Sequence, residues 1–366
     1  MFKNIKTITI FLFFITIGFG FFYLFYQVKE AKTSTLNVYE KIALKRNVNY
    51  LIIGDSIGRG SGAENRNLTW FTQWEALIKQ KYKIEPHRHS IVQSGATAFE
   101  GLYLLNKANK PATVDLVILI FGENDRKYMN AKQFSFYYES LIREVKTIYP
   151  TAELITITES CLKSELFAEA IESIANQYHS NHIDMRIPFQ NSEKTTTELT
   201  SDFIHPNGLG YRLYAEAILF AIEKGYLTKK QVATIPQSID VDRNLNIEVK
   251  EIHQYKEKNK QFIKLNGYYS SRDKGASITY SFTGPNLGVK VFKSEQGGEM
   301  DVFVDGKFVR RVSTWWPINR ERTLYLTSDL SNGEHEVTFI VTGTKSTKNN
   351  NTEKPIVQLS SIVVIE

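Results

Sequence analysis

Short apolar runs alternate with segments of helical periodicity between residues 48 and 226. Five runs have the length and composition of buried strands: 48–54, 89–95, 114–122, 152–158 and, more weakly, 182–188. Four other segments carry apolar residues at spacings of three and four, which predicts helices over 70–82, 134–149, 163–179 and 210–225. Strands that alternate with helices predict a mostly parallel sheet covered on both faces, which is a three-layer α/β/α domain.

From about Gln237 the pattern changes to alternation in steps of two. The stretches 276–292, 299–312, 322–330 and 333–343 show this alternation, and the turn sequences GPN, DG and SNG separate or interrupt them. This pattern is typical of antiparallel strands with one buried face. It predicts an all-β second domain, a β-sandwich or jelly roll.

The segment from Ile8 to Tyr26 is uncharged and apolar on every face, with lysines on both sides. A helix of about 19 residues spans the roughly 30 Å hydrocarbon core of a bilayer. The segment is longer than the apolar core of a typical cleavable signal peptide, and no convincing cleavage site follows it. We therefore expect a signal anchor, and hence a single-pass cell-membrane protein whose folded domains lie outside the cytoplasm.

The length of 366 residues favours two folded domains, because single cores tend to split beyond about 250–300 residues. The expected regions are an anchor (1–28), a linker (29–47), an α/β domain (48–228), a connection (229–260) and a β-sandwich domain (261–366). The net charge of +6 is spread along the chain without a recognition motif, which argues against a nucleic-acid partner. The single cysteine, Cys161, excludes an intrachain disulfide. Two histidine pairs, His87/His89 and His179/His182, have spacings that a metal could use, but no cysteine or carboxylate cluster completes either set. We therefore expect neither a metal nor a cofactor.

Reactive residue types follow the ends of the predicted strands. Ser56, Gly95 and Asn124 come after the first three strands, and Asp202 and His205 stand just before the last helix. The carboxyl ends of the strands form the functional edge of such a sheet. A serine hydroxyl becomes a nucleophile when a base takes its proton and a third group orients that base, and His205 and Asp202 suit these roles. The backbone N–H groups of Ser56 and Gly95 and the Asn124 amide are candidate oxyanion donors.

Each of these residues, taken alone, has an ordinary structural explanation. Gly-Asp-Ser favours turns, His205 before Pro206 can act as a capping residue, and Asn124 can form an Asx turn. Four such segments in one order, at four consecutive element ends, are harder to explain by turn chemistry. The combination therefore favours a catalytic interpretation.

The four segments resemble the blocks of the SGNH, or GDSL-type, hydrolases. They are Gly54-Asp55-Ser56-Ile57, Ser94-Gly95-Ala96-Thr97, Gly122-Glu123-Asn124-Asp125 and Asp202-Phe203-Ile204-His205-Pro206. The resemblance covers residues 48 to about 226 and implies a three-layer fold and ester chemistry. It also implies a triad of Ser56, Asp202 and His205, with Ser56, Gly95 and Asn124 forming the oxyanion hole. One departure is Gln93, where many members have asparagine.

In its alternating pattern and its turn sequences, the second domain is similar to the jelly-roll module of some carbohydrate acetylesterases. In those enzymes the module precedes the hydrolase core. Trp315 and Trp316 stand side by side in a predicted loop and are candidate contacts for sugar rings, although either can instead be buried. Together these features predict a membrane-anchored serine esterase that acts on an acetylated glycan. The reaction would remove O-acetyl groups from a cell-envelope glycan through an acetyl-serine intermediate.

Two other functions remain open at this point. An O-acetyltransferase would use the same triad with a sugar hydroxyl in place of water, and an acyl-exporting membrane protein would be its partner. A non-catalytic wall-binding adaptor would keep the fold without the chemistry. The presence of Ser56, Asp202 and His205 speaks against the adaptor.

Overall fold

The computed structural model describes residues 36–233, 235 and 247–366, which form an α/β domain followed by a β domain. The helices of the α/β domain are α1 (Val38–Ala43), α2 (Trp70–Tyr82), α3 (Ala98–Lys107), α4 (Ala131–Ile148), α5 (Glu165–Gln177), α6 (Arg186–Asn191), α7 (Thr196–Leu199) and α8 (Gly208–Leu227). Its strands are β1 (Val48–Gly54), β2 (Pro86–Val92), β3 (Leu116–Ile120), β4 (Glu153–Thr158) and β5 (Asn181–Asp184).

These five strands form one parallel sheet in the order β2-β1-β3-β4-β5. Successive residues of β1 belong to different cores: Leu51 and Ile53 pack with α3, α4 and α5, whereas Tyr50 and Ile52 pack with α1, α2 and α8. Side chains alternate between the two faces of a strand, so one continuous apolar run supplies both cores. The predicted three-layer fold is confirmed.

Several elements differ from the sequence-based prediction. The pattern did not predict α3, which begins after Thr97, whose hydroxyl accepts the Glu100 N–H at 3.4 Å. The strand predicted over 182–188 ends at Asp184, because α6 begins at Arg186. The strand predicted over 89–95 is β2, which lies at the sheet edge, is largely exposed and ends before the Ser94-Gly95 turn. Exposure at an edge weakens the apolar signal that a buried strand gives.

The interval 29–47, expected to be a linker, contains α1. The Asn37 side chain accepts the Tyr39 N–H at 3.0 Å and so caps the helix. Tyr39 is buried, and Lys41 Nζ forms a buried ion pair with Asp115 at 2.7 Å. The helix is therefore packed on the α/β domain.

The predicted anchor from Ile8 to Tyr26 lies outside the described residues. Within residues 36–233, 235 and 247–366, none of the helices has both the length and the apolar character needed to cross a membrane. The prediction of a single-pass membrane protein with extracytoplasmic domains is therefore corrected: the described residues give it no support.

The β domain consists of antiparallel strands. They are β6 (Val249–Ile252), β7 (Glu257–Lys258), β8 (Ile263–Leu265), β9 (Tyr268–Ser271), β10 (Ser277–Thr283), β11 (Asn286–Lys293), β12 (Gly298–Val304), β13 (Lys307–Ser313), β14 (Arg320–Thr327), β15 (Glu334–Lys345) and β16 (Val357–Ile365). Two sheets, β13-β12-β15-β10-β7 and β14-β11-β16-β9-β8, enclose an apolar core that includes Val289 and Phe339. The predicted β-sandwich is confirmed, and the expected connection 229–260 contributes β6 and β7 to it.

The two domains pack against each other through a shared apolar core. Tyr325 and Ile365 of the β domain belong to the same buried cluster as Phe99 of α3 and Tyr137 of α4. The Tyr137 hydroxyl also donates to the Asn286 side-chain oxygen at 3.0 Å. This interface places strand β14 beside α3, next to the carboxyl edge of the parallel sheet.

Candidate active site

Ser56 follows β1 directly, and Asp202 and His205 lie in the turn before α8. Ser56 Oγ is 2.9 Å from His205 Nε2, and His205 Nδ1 is 2.7 Å from Asp202 Oδ2. Asp202 Oδ1 accepts the backbone N–H of His205 at 2.8 Å, which holds the turn in shape. The fold thus brings the three predicted residues into the linear arrangement by which a histidine activates a serine.

The charge of Asp202 sets the orientation of the histidine ring. Partial burial raises the pKa of Asp202, but hydrogen bonds from the His205 backbone and ring outweigh this effect and leave the pKa below its usual value. The carboxylate is therefore ionised at neutral pH and holds a proton on Nδ1 of His205. Nε2 then faces Ser56 as a proton acceptor.

The sequence did not indicate two features near His205, one in its own turn and one in the loop that follows β1. Phe203 has a φ of +67°, in the left-handed region that costs most side chains energy, and its ring is 69% exposed. Gly62 has a φ of +99° and lies against the histidine, because a Cβ there would stand 2.6 Å from the His205 Cβ. The signal in the sequence was a pair of large apolar residues, Phe203 and Ile204, in a turn before a helix.

The predicted oxyanion donors lie beside the serine. Among the described residues, the backbone N–H groups of Ser56 and Gly95 donate no hydrogen bond within the chain. Gly95 has a φ of +76°, a conformation that glycine adopts without strain. The Asn124 amide donates to Asp55 Oδ2 at 2.5 Å, which ties it next to Ser56 and leaves its second hydrogen available.

Three buried carboxyl groups, those of Asp55, Asp125 and Glu159, lie next to the loops that carry the oxyanion donors. Asp125 accepts the Ala98 N–H at 2.7 Å, and Glu159 accepts the Glu123 N–H at 2.6 Å. Burial raises the pKa of Asp125 to about 7, and it raises the pKa of Glu159, which the negative charge of Asp55 raises further. These groups link the loops that follow β1, β3 and β4.

A cleft of about 720 Å³ lies between the two domains, next to the candidate oxyanion donors. Gly95 and Asn124 line it from the α/β domain, and Trp316 and Arg322 line it from the β domain. Arg322 forms a buried ion pair with Glu100 at 2.6 Å, and its Nη2 donates to the Gly95 carbonyl at 2.9 Å. The β domain therefore forms one wall of the candidate site.

The two candidate tryptophans are placed differently. Trp316 lines the cleft, and its ring lies so close to the Gly95 loop that a Cβ on Gly95 would stand 3.5 Å from it. Trp315 is half-buried like Trp316 but is not among the residues that line the cleft. The structure thus brings only Trp316 of this pair to the site.

Two family profiles match the chain. Residues 52–213 match the GDSL-like Lipase/Acylhydrolase family, and residues 269–351 match the Carbohydrate esterase 2 N-terminal family. The carbohydrate esterase 2 match follows the GDSL-like match along this chain. In the acetylesterases that the second domain resembles, the module precedes the hydrolase core instead. The resemblance to GDSL-type hydrolases with a jelly-roll module is confirmed.

Two crystal structures of a two-domain esterase active on acetylated mannans share the fold. The first has a TM-score of 0.69 at 18% identity and covers 90% of this chain and 94% of its own. The second, co-crystallised with mannopentaose, has the same score and identity and covers 93% and 96%. No curated protein matches the sequence significantly.

The two family matches define an esterase. The chain is a GDSL-like lipase/acylhydrolase domain joined to a carbohydrate esterase 2 N-terminal domain.

Proposed function

We propose that this protein hydrolyses O-acetyl esters of a glycan with Ser56 as nucleophile, His205 as general base and Asp202 as the group that orients the base. The observation that carries the proposal is the pair of contacts that links the three side chains. Ser56 Oγ lies 2.9 Å from His205 Nε2, and His205 Nδ1 lies 2.7 Å from Asp202 Oδ2. The similarity to a two-domain esterase active on acetylated mannans supports an acetylated glycan as the substrate.

In the first half of the reaction, Ser56 Oγ attacks the acetyl carbonyl carbon while its proton passes to His205 Nε2. The carbonyl electron pair moves onto oxygen, and the Ser56 N–H, the Gly95 N–H and the second Asn124 amide hydrogen stabilise the oxyanion. The bond between the acetyl carbon and the sugar oxygen then breaks. The sugar oxygen takes the proton from His205, which leaves acetyl-Ser56.

In the second half, water takes the place of the sugar. His205 accepts a proton from the water as its oxygen attacks the acetyl carbon, and the same donors stabilise the second oxyanion. Collapse of this intermediate breaks the bond to Ser56 Oγ, which regains its proton from His205. The products are acetate and the free enzyme.

The β domain contributes to this scheme by positioning. The Arg322 guanidinium donates to the Gly95 carbonyl, which fixes the peptide group that follows Gly95 and so holds the loop that carries the Gly95 N–H. The ring of Trp316 offers an aromatic face to a sugar in the cleft. The expectation that the glycan belongs to the cell envelope depended on the predicted anchor, and it forms no part of this proposal.

Incubation with acetylated mannan, acetylated xylan and para-nitrophenyl acetate tests the proposal, with release of acetate and transfer of acetyl to an added sugar measured together. We expect acetate from all three substrates, and almost none from Ser56→Ala with an unchanged melting temperature, because the hydroxyl serves chemistry rather than packing. Transfer to sugar in place of acetate release would instead indicate an O-acetyltransferase. A folded protein without activity on any ester would indicate an adaptor.

A further inference from the structure

Basic side chains dominate the cleft beside the candidate oxyanion hole. The basic residues that line it are Lys127, Lys293, Arg310, Arg311, Arg322 and Lys348. Glu100 is the one carboxylate among the described residues that line the cleft, and Arg322 already neutralises it. Arg311 pairs with Asp301 at 2.7 Å and Lys127 lies 3.7 Å from Glu123, so the unbalanced positive charge of the cleft rests on Lys293, Arg310 and Lys348, for which the described residues supply no ion-pair partner.

Lys293 shows this imbalance most clearly. Its side chain is buried, with 9% of the residue exposed, and it lines the cleft. Its Nζ has no carboxylate or hydrogen-bond acceptor within the described part of the chain, and the contact that the structure gives it is the Trp316 ring, with a centroid 5.5 Å away. Burial and the nearby Arg322 charge lower the pKa of Lys293 to about 8.

A largely buried ammonium group without a counter-ion is costly, because burial removes much of its water shell and supplies no partner in return. An anion in the cleft would supply the missing partner. The same need exists at Arg310, whose buried Nε has no hydrogen-bond partner although its Nη2 donates to the Tyr128 carbonyl at 2.8 Å. Lys348 adds an exposed charge from the loop between β15 and β16.

We propose that this cleft binds an anionic group of the substrate, a carboxylate or a phosphate on the sugar that carries or adjoins the acetyl ester. Lys293 is the principal ligand, and Lys348 attracts the anion at the entrance. Gly95 and Asn124 line the same cleft, so an anion held there lies close to the reacting ester. This inference rests on the proposed esterase function and narrows its substrate from an acetylated glycan to an acidic one.

The test compares acidic with neutral substrates. The ratio of kcat/KM for acetylated polygalacturonate to that for acetylated xylan reports carboxylate recognition. The ratio for an O-acetylated glucose phosphate to the same acetylated glucose without phosphate reports phosphate recognition. We expect a preference of about tenfold or more in one arm, which a charge-assisted hydrogen bond supplies, and a decline of that preference as salt is added. Ratios near one in both arms would overturn the proposal.

Variants that each remove one positive charge show which residue causes the preference for an acidic substrate. Lys293→Met keeps the bulk of the side chain and should lower the acidic-to-neutral ratio about tenfold or more. Lys348→Ser alters an exposed loop residue that cannot disturb the core, and should lower the ratio by about two- to threefold, as a screened surface charge does. Lys264→Met, an exposed lysine of β8 outside the cleft, is the matched control and should leave the ratio unchanged.

The ratio is measured within each variant, so partial loss of folded protein cancels. A wild-type preference that survives both Lys293→Met and Lys348→Ser would overturn the assignment of the cleft. Activity on neutral esters without any preference would leave the esterase function standing and reject only this inference. If no ester is cleaved, calorimetry with polygalacturonate decides: salt-sensitive binding that Lys293→Met abolishes supports the anion site, and no binding rejects it.

Discussion

The two walls of the candidate site are built in different ways. On the α/β wall, the candidate catalytic side chains have partners inside the same domain: Ser56 contacts His205, His205 contacts Asp202, and Asn124 donates to Asp55. On the β wall, Lys293 has no acceptor among the described residues, and a buried nitrogen of Arg310 has none either. Side chains held by partners are suited to fixed geometry, and the free N–H groups of Ser56 and Gly95 remain available for an oxyanion, whereas cationic side chains without a partner are suited to a charged ligand. From this comparison we expect the chemistry to depend on the α/β wall and the choice of substrate on the β wall.

Removal of the Asn124 amide is the strongest test of the chemical wall. Asn124→Ala should lower both kcat and kcat/KM by about 10²–10³-fold with little change in KM, because the amide acts mainly in the transition state. Steady-state kinetics on para-nitrophenyl acetate measure the effect. Asn124→Asp should be at least as harmful, since a carboxylate offers no donor and would lie next to Asp55. An active, normally folded Asn124→Asp variant would show that Asn124 only shapes a turn and would remove it from the oxyanion hole.

Arg322 joins the two walls, and its loss should affect stability as well as rate. The side chains of Arg322 and Glu100 are each 3% exposed, so Arg322→Met leaves a buried carboxylate without its partner. We expect the free energy of unfolding to fall by about 3–5 kcal/mol, measured by chemical denaturation.

The double variant Glu100→Gln/Arg322→Met is the control for that loss. Removal of both charges should recover part of the stability, because no uncompensated charge remains in the interface. The rate should stay low, because the Gly95 carbonyl still lacks its donor. A single variant as stable as the wild type would contradict the role of this ion pair in holding the domains together.

The smallest expected effect concerns the aromatic part of the β wall. Trp316→Ala should reduce kcat/KM for an acetylated glycan about three- to tenfold more than for para-nitrophenyl acetate, which has no sugar ring to stack. Trp315→Ala is the matched control, since Trp315 does not line the cleft, and should change both substrates equally. Equal losses on both substrates for Trp316→Ala would make that ring structural.

The contrast between the two walls also explains which parts of the site could be predicted from the sequence. Ser56, Gly95 and Asn124 each stand where an apolar run ends, and parallel strands place their carboxyl ends at one edge of the sheet. The candidate triad and oxyanion donors could therefore be proposed from short segments alone. The continuous apolar runs of β1 and β3 likewise predicted a sheet buried on both faces.

The β wall could not be predicted in this way. Lys293 and Arg322 lie on the neighbouring strands β11 and β14, where a basic residue at an alternating position normally marks a solvent-facing side chain. Their burial depends on how the β domain packs against α3, and α3 was itself missing from the prediction. The pairing of Arg322 with Glu100 spans 222 residues of sequence, and no local pattern predicts such a contact.

Acylation of Ser56 is the step on which the proposed chemistry depends, and a fluorophosphonate probe followed by peptide mass spectrometry measures it directly. We expect one covalent adduct, on the peptide that contains Ser56, with loss of esterase activity in proportion to labelling. His205→Ala should label far more slowly, because no base then takes the serine proton. An adduct on another residue, or full esterase activity in protein whose Ser56 is labelled, would contradict the assignment of Ser56 as the nucleophile.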